Sequence, residues 1–424
     1  RTILYHNEGN GTFKDVTAGS GLEASGSYDW TTSACWADID GDGKPDLYVC
    51  RYVLFSPATK AFCHYKALDG SDLVMTCGPP DYKPEIGSLY HNEGNGKFRD
   101  ITQESGMGSA HGKGLGCMFC DFNGDGKPDL YIANDQVPQD LFLNLGHGHF
   151  KNIAPGGGVA FGSDGRPMAG MGVDWGDYDN DGKFDLLVAN FSGMPKALFH
   201  NEGNNLFVDN GAIAGIAAPS LTSLTFGADF VDVENDGLLD IVLFNGHVQA
   251  LIDKADNTTS YFQSAFLFHN RGDGHFTDLS AAAGPDFTQK IVGRGVSVGD
   301  YDGDGKEDLL VVNAEGTPLL LHNQAPSRHF LSLRCFGPNG RSDAIGALVT
   351  VQTGSHKQMR QVYAGGSYLS SDAPQAHVGL AESVQADKLS IRWPDGKTTA
   401  FSSVAADHAY TVSERDGKLR LTGP

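Results

Sequence analysis

The sequence predicts an all-β protein: a calcium-binding β-propeller of six blades, with seven the alternative, followed by a small β-sandwich or barrel. Three observations carry that prediction. An acidic nonapeptide recurs five times, a glycine-turn hairpin signature alternates with it, and the periodicity stops after His322, where a different strand pattern begins.

The acidic copies are DIDGDGKPD at 38–46, DFNGDGKPD at 121–129, DYDNDGKFD at 177–185, DVENDGLLD at 232–240 and DYDGDGKED at 300–308. Each is followed by an apolar run such as DLYVC, DLYIAN or DIVLFN, which reads as a short strand buried on both faces. Another short strand precedes it, as in ACWADI, GCMFCDF and VSVGDYD. The second signature reads LYHNEGNGTF at 4–13, LYHNEGNGKF at 89–98, LFLNLGHGHF at 141–150, LFHNEGNNLF at 198–207, LFHNRGDGHF at 267–276 and, truncated, LLHN at 320–323. It describes two strands joined by a glycine turn. Four short strands in a module of roughly 55 residues is the pattern of a propeller blade. An open stack of blades would leave its end faces bare, so ring closure is expected.

Five acidic loops define five modules, and the hairpin within residues 1–17 is the outer half of another, which makes six. Insertions at 51–87 and 246–265 interrupt the period and are expected to decorate one rim. The propeller is thus assigned to residues 1–323 and the second domain to 328–424. There the segments HFLSLRCF, ALVTVQT, KQMRQVYA, DKLSIRW and HAYTVSE read as five strands.

The loops hold carboxylates at positions 1, 3, 5 and 9, a turn glycine at 6, and a carbonyl at 7, an oxygen-only ligand set that suits calcium better than magnesium. Loop one offers Asp38, Asp40, Asp42 and Asp46 with the Lys44 carbonyl; loop two offers Asp121, Asn123, Asp125 and Asp129 with that of Lys127. Loop three supplies Asp177, Asp179, Asp181, Asp185 and Lys183; loop four Asp232, Glu234, Asp236, Asp240 and Leu238; loop five Asp300, Asp302, Asp304, Asp308 and Lys306. Crowded carboxylates repel by roughly 4 kcal/mol per close pair at an intermediate dielectric, so each turn needs a cation. An EF-hand would require Glu at position 12 and flanking helices. Position 12 is instead Val49, Ile132, Val188, Leu243 and Val311, which leaves a calcium loop between strands. Loop four, with Glu234 and the bulky Leu238 and Leu239, is expected to bind most weakly.

Composition narrows the function. The chain has 52 acids against 31 bases and a net charge of −21, which repels nucleic acid and anionic lipid. Up to five Ca²⁺ would offset about half of that charge, as expected in a calcium-rich extracytoplasmic setting. No run of about 18 apolar residues exists to span a membrane as a helix. The chain starts at Arg1 without an initiator Met or an apolar leader, which fits an exported chain already processed or a piece of a longer one. Of seven cysteines, Cys63 and Cys77 lie in the first insertion and could bridge; Cys35, Cys117, Cys120 and Cys335 read as buried apolar residues. Cys117 and Cys120 would point to opposite faces of a strand, which argues against zinc or redox chemistry.

These loops and hairpins resemble the FG-GAP/VCBS repeats of integrin-α-type propellers through residues 1–323. The motifs DAIGALVTV at 343–351, GGSYLSSDAPQAHVGL at 365–380 and LSIRWPDGK at 389–397 resemble an ASPIC/UnbV domain, and the whole chain is similar to the bacterial relatives of cartilage acidic protein. The resemblance implies a secreted or cell-surface module with calcium at the Asp positions named above, in a family described as adhesive. It carries over no catalytic motif.

Two surface motifs have plain readings. Arg271-Gly272-Asp273 is the hairpin turn of the second signature, and Asn10, Asn190 and Asn257 begin sequons usable only in a glycosylating host. No Ser-His-Asp order, phosphate-cradling loop or metal-hydrolase signature is present. Segments at the ends of the inner strands nevertheless hold Lys113 (with His111), Asp135, Arg166, His247 and Arg294, which could line a channel mouth. The expected function is therefore a protein- or glycan-binding adhesion module whose partner docks at the propeller rim. The alternative is a biosynthetic or hydrolytic enzyme using the mouth, with Asp135 starting an acid-initiated cyclisation. Tyr368, Ser370, Ser371, Asp372 and Trp393 read as core or interface residues, and oligomeric state is left open.

Overall fold

Sheets of strands that are apolar on both faces cannot bury themselves alone and must stack against copies of themselves, and they do so here. The computed structural model describes residues 2–22, 30–59 and 62–422. Blade one is built from Thr31–Ala37, Asp46–Arg51, Ser88–Gly94 and Lys97–Asp100; blade two from Gly114–Cys120, Asp129–Asn134, Asp140–Gly146 and His149–Asn152. Blade three comprises Val173–Gly176, Asp185–Val188, Ala197–Gly203 and Leu206–Asp209, and blade four Thr225–Val231, Asp240–Asn245, Phe266–Asn270 and Phe276–Asp278. Blade five has three strands, Gly293–Gly299, Asp308–Asn313 and Leu319–Leu321. All ladders within the blades are antiparallel, and the acidic loops are the turns between first and second strands, as in Ala37↔Asp46 and Cys120↔Asp129.

The sixth repeat is the N-terminal hairpin, Tyr5–Asn7 with Phe13–Asp15. It forms a sheet of its own, and among the described residues it does not pair with blade five. Among the described residues, strand pairing is therefore not what joins the ends of the array.

Two other devices hold the blades together. Facing apolar sides interdigitate, with Cys117 in the core between blades one and two and Cys120 in that between two and three, on opposite faces of one strand. In addition, the hairpin asparagine of one blade bonds the loop of the blade before it. Asn144 Nδ2 donates to the Ile39 carbonyl at 3.0 Å, Asn201 to that of Phe122 at 3.0 Å, Asn270 to that of Tyr178 at 2.8 Å and Asn323 to that of Val233 at 2.9 Å.

The C-terminal domain packs two four-stranded sheets face to face around Leu331, Val349, Ile391 and Trp393. One sheet runs Ala376–Ala381, His329–Phe336, His408–Ser413, Leu419–Leu421; the other His356–Gln361, Leu348–Thr353, Gln385–Arg392, Thr398–Ala405. The five expected strands are present, joined by three more.

Residues 364–373 leave this domain and run up and back along the propeller axis. Trp36 N donates to the Ala364 carbonyl at 2.9 Å, and Ser367 exchanges bonds with Val173. Leu369 N reaches Ser33 Oγ at 3.0 Å at the far end. On the return, Ser297 Oγ donates to the Ser371 carbonyl at 2.7 Å and Val298 N to Asp372 Oδ1 at 2.7 Å. Gly295 allows this approach: a Cβ there would lie 2.1 Å from Ser370 Oγ. The axial loop thus bonds blade one and blade five, the two ends of the array. No helix among the described residues is long and apolar enough to cross a membrane.

Candidate metal centres and channel mouth

The five acidic loops lie at the end of the propeller that faces the C-terminal domain. Each is a tight turn in which backbone N–H groups converge on the first carboxylate. In loop one Asp38 accepts from Gly41 and Gly43, each at 2.8 Å; in loop four Asp232 accepts from Asp236 at 2.9 Å and Gly237 at 2.8 Å. The ninth-position aspartates are buried and accept the backbone N–H of the hairpin asparagine. The distance is 2.7 Å for Asp46, Asp129, Asp240 and Asp308 and 2.8 Å for Asp185.

These turns fit a cation. Asp121 Oδ1, Asp129 Oδ2, Asp177 Oδ1 and Glu234 Oε2 are buried with no hydrogen-bond partner, which is costly for a carboxylate oxygen unless an ion takes it up. Burial pushes the carboxyl of Asp46 to about 6, those of Asp177 and Asp240 to about 7, Asp232 to about 8 and Asp185 to about 9. Such groups stay ionised at neutral pH only with a positive neighbour. The donor set is almost wholly oxygen, as calcium prefers.

The lysine at position 7 pairs its ammonium with the fifth-position aspartate, as in Lys127–Asp125 at 2.9 Å and Lys306–Asp304 at 3.1 Å; Lys44 with Asp42 and Lys183 with Asp181 do the same. In loop four position 7 is Leu238, with no ammonium to offer, and Arg328 stands 3.5 Å from Asp236 instead; the next residue, Leu239, is in the core.

The structure adds ligand candidates that the loop pattern alone did not include. His91 Nδ1 lies 3.0 Å from Asp46, His200 Nε2 3.1 Å from Asp179, and His269 and His322 Nδ1 each 3.2 Å from Asp240 and Asp308. Their signal was the His of the LYHN signature, present in these four copies and replaced by Leu143 in the remaining interior one. That exception is the loop into which Arg392 of the C-terminal domain reaches, pairing with Asp121 Oδ2. A fixed guanidinium accompanies the loop that lacks the imidazole.

The opposite end is the mouth. Tyr52 donates to Asp135 Oδ2 at 2.6 Å, while Asp135 Oδ1 is buried with no hydrogen-bond partner. Burial lifts the Asp135 carboxyl to about 6 and pulls the Lys113 ammonium below its usual range; Lys113 Nζ donates to the Pro79 carbonyl at 2.8 Å. Arg294 lies 4.3 Å over the Phe226 ring and donates to the carbonyls of Gly246, at 3.0 Å, and His247, at 3.3 Å. Tyr368, at the tip of the axial loop, packs against Phe226 with ring centroids 4.7 Å apart. His247 is buried, its Nδ1 accepting from Gln249 N at 3.0 Å, and burial takes its pKa down to about 4, so it is neutral. His111 turns away to Asp140 at 2.6 Å.

Arg166 corrects the expectation: its side chain is 85% exposed, 3.9 Å from Asp164, and takes no part in the mouth. A glycine-rich turn at 162–165 carries it out into solvent, where nothing holds a flexible cation inward. Above the mouth the two insertions meet, with Leu68 N donating to the Lys254 carbonyl at 2.8 Å and Gln249 Nε2 to that of Thr76 at 2.9 Å. The first insertion is stapled by a disulfide between Cys63 and Cys77.

Comparison with known proteins follows the same division. The FG-GAP-like repeat model matches residues 1–49, 69–132, 121–188, 177–243 and 256–311. The chain belongs to the FG-GAP-like repeat family. Its tail matches ASPIC and UnbV over residues 337–419. This FG-GAP protein is a distant homologue of cartilage acidic protein 1, 27% identical to the Mus musculus protein over 92% of this chain and 26% identical to the Homo sapiens protein over 90%. It spans 66% and 62% of the length of those relatives. Among solved structures it overlaps a lectin of Agrocybe aegerita that recognises non-reducing terminal N-acetylglucosamine (18% identity, 70% of this chain and 81% of that one, TM-score 0.34). It also overlaps the exotype rhamnogalacturonan lyase YesX (12% identity, 89% and 72%, TM-score 0.34). Overlap at that level carries no argument about activity.

Proposed function

We propose that the chain is a calcium-stabilised, secreted or cell-surface binding module of the adhesion type, whose protein or glycan partner seats at the mouth under the two insertions. The observation that carries this reading is the separation of ends. The acidic turns lie beside the C-terminal domain, where ions brace the scaffold. Tyr52, Lys113, Asp135, Arg294 and Tyr368 converge at the other end, mixing aromatic faces with a few fixed polar groups in the manner of a ligand site. Loops one to five hold up to five ions through the carboxylates named above, and the ions supply charge neutralisation to the turns. The homology with cartilage acidic protein 1 supports an extracellular setting.

The test is a glycan and matrix-protein array probed with the full chain in calcium. Arg294→Met and Asp135→Asn are expected to abolish the signal while leaving the melting temperature in calcium within a few degrees; undiminished binding by both would remove the mouth from the reading. A second reading rests on one observation, the free buried oxygen of Asp135 on a carboxyl lifted to about 6. It makes Asp135 a proton donor to a substrate held against Phe226 and Tyr368. Metabolite extracts incubated with the protein would then show a mass-conserving product that Asp135→Asn does not form; identical extracts from both would reject it.

A further inference from the structure

Three of the five free cysteines among the described residues, Cys35, Cys50 and Cys117, gather at the seam between blades one and two. The inner strands Thr31–Ala37 and Gly114–Cys120 run side by side there at a constant offset of 82 residues. Thr32 Oγ1 donates to the Gly114 carbonyl at 2.7 Å, and the Cys35 thiol donates to Cys117 Sγ at 3.4 Å. Equal offsets mean that the two strands point the same way and that Cys35 and Cys117 face each other at one level. Cys50, on the second strand of blade one, adds a third sulfur and donates to the Gly116 carbonyl at 3.7 Å. The positions of Cys35 and Cys117 are taken by Met118 and Val173 at the next seam and by Asp174 and Ala228 at the one after. The facing thiols are therefore an exception to the repeat.

The pair is set for a bond. Two sulfurs 3.4 Å apart have only about 1.3 Å to close before they reach the disulfide length of about 2.05 Å. Cys120, the C-x-x-C neighbour of Cys117, lies in the other seam, so the partner of Cys117 comes from the adjoining blade and not from its own strand. Burial raises the Cys117 thiol, but hydrogen bonds from Cys35 and Cys50 outweigh it and bring its pKa to about 6, which makes Cys117 the nucleophilic sulfur. Burial together with the Cys117 sulfur holds Cys35 and Cys50 well above the usual thiol range, so those two keep their protons.

We propose that Cys35 and Cys117 are a dithiol that oxidises to a disulfide, a second covalent staple that joins blade one to blade two beside the axial loop. The oxidant is a small disulfide such as oxidised glutathione. The Cys117 thiolate attacks one of its sulfurs, the S–S bond breaks, and the leaving thiolate takes up the proton that Cys117 gave up. Cys35 then loses its proton and attacks Cys117 Sγ of the mixed disulfide, and the second glutathione leaves as a thiol with that proton. Two protein thiols are thereby oxidised by two electrons, and one disulfide is reduced to two thiols.

Cys35 and Cys50 are 0% exposed and Cys117 is 1% exposed, so no oxidant reaches them in the closed core. Exchange waits for the seam to open, and its rate follows that opening. The bridge spans 82 residues of chain against 14 for Cys63–Cys77, so it constrains the unfolded chain more. It also fixes the wall that the axial loop passes, since a Cβ on Gly365 would lie 2.7 Å from Cys35 Cβ. The staple does not depend on what the mouth binds.

The test holds the full-length chain in an oxidising glutathione buffer at a series of urea concentrations below the unfolding midpoint, then unfolds it, alkylates it with iodoacetamide and measures its intact mass. Wild type should pass from five labels to three, faster as urea rises, and its digest should contain a peptide pair joined through Cys35 and Cys117. Cys35→Ala should keep four labels throughout. The three-label form should melt several degrees above the five-label form, both with Cys63–Cys77 intact. Five labels at every urea concentration, or a bridge from Cys117 to Cys50 in wild type, overturns the proposal. The wild-type peptide map decides it even where the variant fails to fold.

Discussion

Replacing Asn201 by Ala tests whether the hairpin asparagine is what joins blade to blade. Its side chain is 2% exposed and makes three bonds: to the carbonyls of Phe122 and Phe184, both at 3.0 Å, and from Gly203 N at 2.9 Å. Truncation leaves two buried carbonyls without a donor, at about 1–3 kcal/mol each, and removes a turn-closing bond, for a total of about 3–5 kcal/mol. Asn92 is the internal control. It keeps the bond to its own blade, Pro45 at 2.8 Å, and the turn bond from Gly94 at 2.9 Å, but among the described residues it has no carbonyl of a preceding blade to hold. Asn92→Ala should therefore cost only about 1–2 kcal/mol. Urea unfolding at saturating calcium measures both. With a slope of about 3 kcal/mol/M, Asn201→Ala shifts the midpoint by about 1 M or more. A loss no larger than that of Asn92→Ala would refute the cross-blade role.

Chelation is expected to lower the melting temperature by more than ten degrees at neutral pH, since the clustered carboxylates of each turn then repel one another and those of loops two, three and four include buried oxygens with no hydrogen-bond partner; an unchanged transition in calorimetry would count against ions there. Calcium titration of loop variants should rank loop four weakest, because Glu234 is longer than Asp and Leu239 is committed to the core. Arg392→Met removes the guanidinium beside Asp121 and, the pair being partly exposed, should cost about 1–2 kcal/mol in chelator and less in calcium, where an ion replaces the lost charge. Equal losses in the two buffers would reject that exchange. Asp135→Asn should act through pH. The folded carboxyl titrates near 6, above its ordinary value near 4, so its favourable contribution is complete below pH 4 and is lost as pH rises through 6. The variant should match wild type at pH 4 and exceed it by about 2–3 kcal/mol at pH 8 in denaturant unfolding; a gain at both ends would point to a different cause.

What could be read in the sequence is what repeats. The five acidic turns, their flanking strands and the glycine hairpins follow from local rules that act identically in every copy, so their spacing is visible without coordinates. The hairpin histidines were visible too, one position before each asparagine, but their meaning needed the register that brings His91 to Asp46. Partners that come from far along the chain left no such trace. Nothing local distinguishes Arg392, which reaches loop two across 271 residues, from any strand-end arginine. The motif GGSYLSSDAP belongs to the small domain, as expected, but nothing local shows that its two glycines, at φ 139° and 129°, let the backbone run beside Cys35 and Met118 on the axis. Arg166 failed for the converse reason, because a polar residue near the end of an inner strand has no inward pull without a partner.

The division between repeat and exception also says where chemistry specific to this chain resides. A feature copied in every blade serves what every blade needs, namely neutral turns and sealed seams, and its loss should appear first as instability. Selectivity cannot come from parts arranged alike around an axis, because a ligand would meet the same surface several times. It must come from positions where one blade departs from the others. Asp135 stands where blade four has Gly246, after an asparagine at the end of the second strand in both, and Arg294 has no charged counterpart beside Gly227 in blade four. Restoring the pattern at such a position, as with Arg294→Phe after the Phe226 that precedes Gly227, should remove binding while leaving stability near wild type; exchanging two exceptions that merely pack would do the reverse.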